Sequence, residues 1–259
     1  MADSPQQART ATFDKILLLL ARVSSPATAG PLVRLAAAIA SLPEPHRHTR
    51  FVALLSRARP LPDADHLVLE VQLAEVIQKL PKPQRADAFQ QLVHEAGDRA
   101  GEARGKVSQA LRLQVPHLPA TVQLIAFRSL VDRSWGPEAQ QGWEASHLVP
   151  YLAGLPMDAR HEAFMALTRR LDMLPVDSQF RLLAALPLAG CIKRLPSASH
   201  GEAARRIADV LRPLGGHHCR WVLTKSDAEV PPAVKEALRQ TTSKDTDGAP
   251  GGTGTRTHR

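Results

Sequence analysis

The dipeptide Leu-Pro occurs at Leu42-Pro43, Leu80-Pro81, Leu118-Pro119, Leu155-Pro156 and Leu195-Pro196, with successive spacings of 38, 38, 37 and 40 residues. Self-similarity at an interval of roughly 20 to 50 residues marks stacked supersecondary units. The neighbours of each proline recur with it. Eight residues before it stand Leu35, Leu73, Leu111, Leu148 and Leu188, and four before it Ile39, Ile77, Val115, Leu152 and Ile192. With the leucine of the pair these positions are i, i+4 and i+7, one face of a helix. A first helix therefore runs into each Leu-Pro, and the proline, which disfavours helical backbone at the residue before it, ends that helix.

A second stripe follows. The eighth position after the proline reads Phe51, Phe89, Phe127, Phe164 and Ala204, and the eleventh reads Leu54, Leu92, Leu130, Leu167 and Ile207. Pro45 and Pro83 suit the first turn of this second helix, where a missing N–H costs nothing, while Thr121 and Asp158 offer capping oxygens. Further prolines, Pro62, Pro137, Pro175, Pro213 and Pro232, fall near the half-period, so the chain turns about every nineteen residues. The expected fold is all-α: an α-solenoid of about five to six antiparallel hairpins with a ~38-residue repeat spanning 13–240. The segments 1–12 and 241–259, small, polar and rich in Gly, Thr and Ser, are expected to be disordered.

Composition fits this. Apolar residues make up 44% of the 259 but aromatics only 4%, so leucine and alanine must do most of the packing. The apolar run 16–21 is too short to cross a bilayer and no cleavable signal peptide precedes it, so a soluble fold is expected. Cys191 and Cys219 form no disulfide framework. A formal charge of +8 attracts nucleic acids and acidic proteins alike, although 25 Arg against 8 Lys also reflects a GC-rich coding sequence.

Chemistry-bearing patterns are sparse. His217-His218-Cys219 are adjacent, and neighbours on a helix diverge by about 100°, so they do not converge on one ion. His94-Glu95 and His161-Glu162 lack the second histidine of a zincin motif. No phosphate-cradling glycine loop lies in the repeat region, and no catalytic residue, metal or cofactor is expected. Two features remain. The fourth position after each proline holds Arg47, Arg85, Gln123, Arg160 and His200. This ladder reads either as an anion-binding track or as a structural device whose heads satisfy the last carbonyls of the preceding helix. The third repeat breaks the pattern: Val122, Leu124, Ile125, Phe127, Leu130 and Val131 make its helix apolar almost all round, and Trp135 and Trp143 follow. Strong curvature buries such a helix; otherwise it is a partner site anchored by tryptophan.

With Leu eight before the proline, Leu-Pro at the turn and Phe eight after, the unit resembles the HEAT and armadillo class of helical repeats. It lacks the Trp, Gly, Tyr and Pro signature of tetratricopeptide repeats. It also resembles helical-repeat effectors that plant-associated bacteria deliver by type III secretion, including the family named for a Ser-Lys-Trp-Pro motif, to which Arg133-Ser134-Trp135-Gly136-Pro137 is the nearest match. The uninterrupted repeat without a catalytic constellation points to a non-enzymatic scaffold that binds a protein partner, with Arg47, Arg85, Leu124, Ile125, Trp135, Trp143 and Arg160 as candidate contacts, and the effector resemblance implies a bacterial protein, in the cytoplasm or secreted into a host cell without a cleaved signal peptide. The alternative is a basic nucleic-acid-binding repeat protein.

Overall fold

A computed structural model describes residues 5–22, 28–97, 101–133, 146–175 and 179–246, and every regular element among them is a helix. In chain order these are α1 (Pro5–Ala21), α2 (Ala29–Ala38), α3 (Glu44–Ala58), α4 (Asp63–Val76), α5 (Arg85–Gly97), α6 (Gly101–Gln114) and α7 (Ala120–Arg133). A 3₁₀ segment, Val149–Gly154, follows, then α8 (Met157–Asp172), α9 (Gln179–Cys191), α10 (His200–Leu211), α11 (Gly216–Leu223) and α12 (Pro232–Thr246).

The Leu-Pro pair works as a joint in which each residue has one task. The first helix tightens into a 3₁₀ turn at its end, and the leucine N–H donates the last bond of that turn, as in Leu42 to Ile39 (3.0 Å) and Leu80 to Ile77 (3.1 Å). The leucine itself is extended, at φ −76° and ψ 156° in Leu42, which is the conformation a following proline enforces. The proline has no N–H to satisfy, and its carbonyl accepts the first bond of the next helix, as in His46 to Pro43 (3.0 Å). All five joints repeat this arrangement. Prolines thus occupy the position before the second helix, and no cap side chain is involved; the Asp158 carboxylate accepts only from the adjacent Ala159 N–H. At the half-period, Pro62 precedes α4 in the same way, and Gly215 at φ 87° makes the turn into α11.

Packing sorts the helices by their place in the repeat. The first helices touch one another, α2 on α4 and α4 on α6, with α9 against Val149–Gly154. The second helices form another series, α3 on α5, α5 on α7, α7 on α8, α8 on α10 and α10 on α12. Between them runs one core from Phe13 to Leu238, and every member of the four recurrent columns is buried in it. The four phenylalanines Phe51, Phe89, Phe127 and Phe164 have no exposed surface, and each such side chain contributes about 1.5–3 kcal/mol by leaving water.

The ends differ from expectation in extent. Helix α1 begins at Pro5, well before residue 13, although Phe13 is its first buried side chain; the exposed turns ahead of it propagate from an anchored helix, with Thr10 and Thr12 hydroxyls donating to carbonyls one turn back. At the other end α12 continues past residue 240 to Thr246.

Candidate interaction surface

The arginine ladder sits at the joints. Arg47 Nε donates to the Leu42 carbonyl (2.8 Å) in its own turn, and Nη1 reaches across to the Lys79 carbonyl (2.7 Å) in the next repeat. Arg85 repeats both contacts on Leu80 and His117 (2.9 Å each). Arg160 does so on Leu155 (2.9 Å) and Arg194 (3.1 Å), with Nη2 on Ala153 (2.8 Å). A 3₁₀ turn leaves its last carbonyls without backbone partners, and a guanidinium fork is long enough to serve two such ends at once. These three arginines therefore staple their repeat to its successor. Gln123 is shorter, and its amide nitrogen bonds only within its own turn, to Leu118 (2.9 Å) and Pro116 (3.5 Å). His200 likewise reaches only Leu195 (3.0 Å). A counterpart that the repeat count did not reveal lies at the opposite turns: buried Arg181 donates to the Asp172 and Leu174 carbonyls at 2.8 and 2.7 Å.

The outer surface of the second helices is charged, and its charges answer one another between repeats. His48 meets Asp87 at 3.0 Å and His161 meets Glu202 at 3.3 Å, the same two positions of consecutive repeats. Arg59 pairs with Glu95, Arg128 with Glu162 and Arg206 with Asp172. Leu124 and Ile125 take those same positions in the third repeat. Leu124 packs partly against the core, while Ile125 stands 58% exposed in a slot that holds an acid in the repeats on either side. Trp135 and Trp143 lie outside the described residues. Beside α3 and α5 a shallow hollow of about 330 Å³ is lined by Leu55, Gln90 and His94, with the Arg59–Glu95 pair at its edge.

The first helices present a different surface. Thirteen and six residues before each proline lie positions on one outward stripe, and here Val68, Leu113 and Leu183 are 53%, 54% and 55% exposed. Ala37, Pro150 and Gly190 occupy equivalent positions, so this surface is mainly apolar or small, with Lys106 and Glu75 as its charged members. Acid is sparse on it: in these two columns Glu75 is the one acid among the described residues, with Asp63 and Asp65 in the first turn of α4. Sequence reasoning passed over these residues because they vary from repeat to repeat; the signal was the predominance of apolar or small side chains in the minus-thirteen and minus-six columns, where Lys106 and Glu75 are charged exceptions.

The remaining reactive groups are internal or dispersed. Cys191 and Cys219 are buried free thiols, and burial raises both above the usual thiol range, keeping them protonated at neutral pH. Their sulfurs lie 4.0 and 3.6 Å from the Val149 and Leu211 carbonyls. His218 Nδ1 bonds the Leu214 carbonyl at 2.9 Å, so it diverges from Cys219 beside it. Among the described residues no group of three or more His, Cys, Asp or Glu side chains is placed to hold a metal, and no helix is long and apolar enough to cross a membrane. Inside α4, buried His66 and Glu70 face each other at 3.2 Å.

Compared with known proteins, the chain matches no family model, no curated protein and no solved structure.

Proposed function

We propose that the chain is an α-solenoid of five to six hairpins and acts as a non-enzymatic scaffold, binding a protein partner along the outer surface of its first helices. One observation carries this: the two surfaces differ in how far their side chains are already satisfied. On the second helices, charges pair across consecutive repeats, from His48–Asp87 to Arg206–Asp172. On the first helices, Val68, Leu113 and Leu183 stand in water on equivalent stripes. Large apolar side chains left exposed at equivalent positions are a mark of protein interaction sites, and repeat arrays commonly serve as extended binding surfaces.

The test is a comparison of three proteins as bait: the native chain, the triple variant V68D/L113D/L183D, and I125D on the opposite surface. Retention of a partner by the native chain and I125D, with loss by the triple variant, is the expected result. Equal retention by all three sinks the assignment. A salt-titrated gel shift addresses nucleic acid: tight binding at low salt that survives the triple substitution would replace a protein partner with a polyanion.

A further inference from the structure

The first-helix surface is not only apolar; one of its borders is positively charged, and the arginine staple makes it so. Arg47 bonds the carbonyl of Lys79, so the guanidinium lies beside the backbone of a residue whose own ammonium is exposed. Arg160 lies in the same relation to Arg194, with Lys193 adjacent. Arg85 reaches the carbonyl of His117. A guanidinium whose hydrogens are donated to carbonyls keeps its full charge, since a carbonyl contributes only a dipole. The staples of Arg47 and Arg160 thus set a guanidinium beside further cations, Lys79 in one case and Lys193 and Arg194 in the other. Among the described residues Arg34, Lys79, Lys193 and Arg194 have no acidic side chain within ion-pair distance, and all four are exposed. Several acids of the second helices already face a basic side chain, Glu95 and Glu162 an arginine and Asp87 and Glu202 a histidine, whereas Glu44 and Asp158 at the joints do not.

We infer that the occupant of this surface is an acidic amphipathic protein helix, its apolar side covering Val68, Leu113 and Leu183 and its carboxylates facing the cation clusters at the joints. The inference rests on the proposed scaffold function and names the chemistry of its partner. Two complementary terms are needed together. A nucleic acid answers the cations but has no aliphatic surface to cover the three side chains. A second copy of the chain, carrying the same unpaired cations, would set like charges against each other, which disfavours a self-complementary contact. An acidic amphipathic helix answers both.

The full-length protein is titrated, by fluorescence anisotropy, into three labelled synthetic peptides of about 20 residues, long enough to span about 30 Å as helix. One has leucine on one face and glutamate elsewhere; the second replaces glutamate by lysine; the third is the first with its order scrambled so that leucine falls on all sides. The expected result is binding of the amphipathic Leu/Glu peptide at least about tenfold tighter than either other peptide, weakening as salt screens the charges. The variant R34E/K79E/R194E is expected to lose about tenfold or more of that affinity, while R57E/R205E, exposed cations of the second helices, retains it. Equal binding of the scrambled peptide, or an equal loss in both charge variants, means bulk attraction and overturns the inference. So does failure of the Leu/Glu peptide to compete with single-stranded RNA or anionic vesicles bound at this surface. Preference for the Leu/Lys peptide with sensitivity to V68D/L113D/L183D removes the acidic partner but leaves the surface standing; indifference of every peptide to that triple variant removes the surface itself.

Discussion

Arg85 shows what a single side chain does at a joint between repeats. Its two bonds, to Leu80 within the turn and His117 in the next repeat, are charge-assisted, and truncation would leave two carbonyls without donors. Arg85→Ala is expected to cost about 2 kcal/mol in urea unfolding, and Arg85→Lys about half of that, because an ammonium lacks the fork that reaches both acceptors. The converse substitution is available at Gln123. Restoring arginine there would supply a donor toward the Gly154 carbonyl, the counterpart of Lys79, His117 and Arg194, and is expected to raise stability by about 1 kcal/mol. The thiols give a pH prediction. Because burial raises both above the ordinary thiol value, the folded chain holds those protons after the unfolded chain has lost them. The associated stability is intact below the unfolded thiol value of about 8.5 and falls as pH rises above it. Cys191→Ala should flatten this alkaline decline, measured as the unfolding midpoint against pH, and neither native thiol should react with a disulfide reagent at neutral pH before unfolding.

At the scale of the element, the Leu-Pro joint divides its labour between conformation and packing. Pro81, at φ −54°, fits its site without strain, so Pro81→Ala acts mainly by loosening the unfolded chain and should cost about 1 kcal/mol. Phe127→Ala removes a fully buried ring from between α5, α7 and α8 and should cost about 3–5 kcal/mol, read from the same denaturation curves. These elements were legible in the sequence because stacking demands like residues at the same offset from unit to unit: leucine at minus eight in all five, phenylalanine at plus eight in four, arginine at plus four in three. What covers the outside obeys no such demand. Val68, Leu113 and Leu183 occupy related positions with different companions, so counting recurrences finds the core and passes over the surface. The staple was half legible. Arginine at plus four could be placed near the preceding carbonyls, but its reach to the following repeat depends on the distance between joints, which spacing along the chain does not contain. The exposed turns of α1 ahead of Phe13 are not legible for a similar reason, since they inherit helical geometry from an anchored neighbour and not from their own composition.

For the whole molecule, the contacts run from each helix to its neighbours and the next helix of its series, so cohesion is a sum over successive interfaces if the hairpins stack as proposed. The interfaces are not equal. Arg47 and Arg85 fasten the first three joints in sequence and Arg160 fastens the fourth to the fifth, but Gln123 leaves the third and fourth without such a fastening. A chain held by its two ends and pulled should therefore part first at this seam. Tension would separate it into an amino-terminal and a carboxy-terminal block before either unravels, giving two steps in a force trace where Gln123→Arg gives one at higher load.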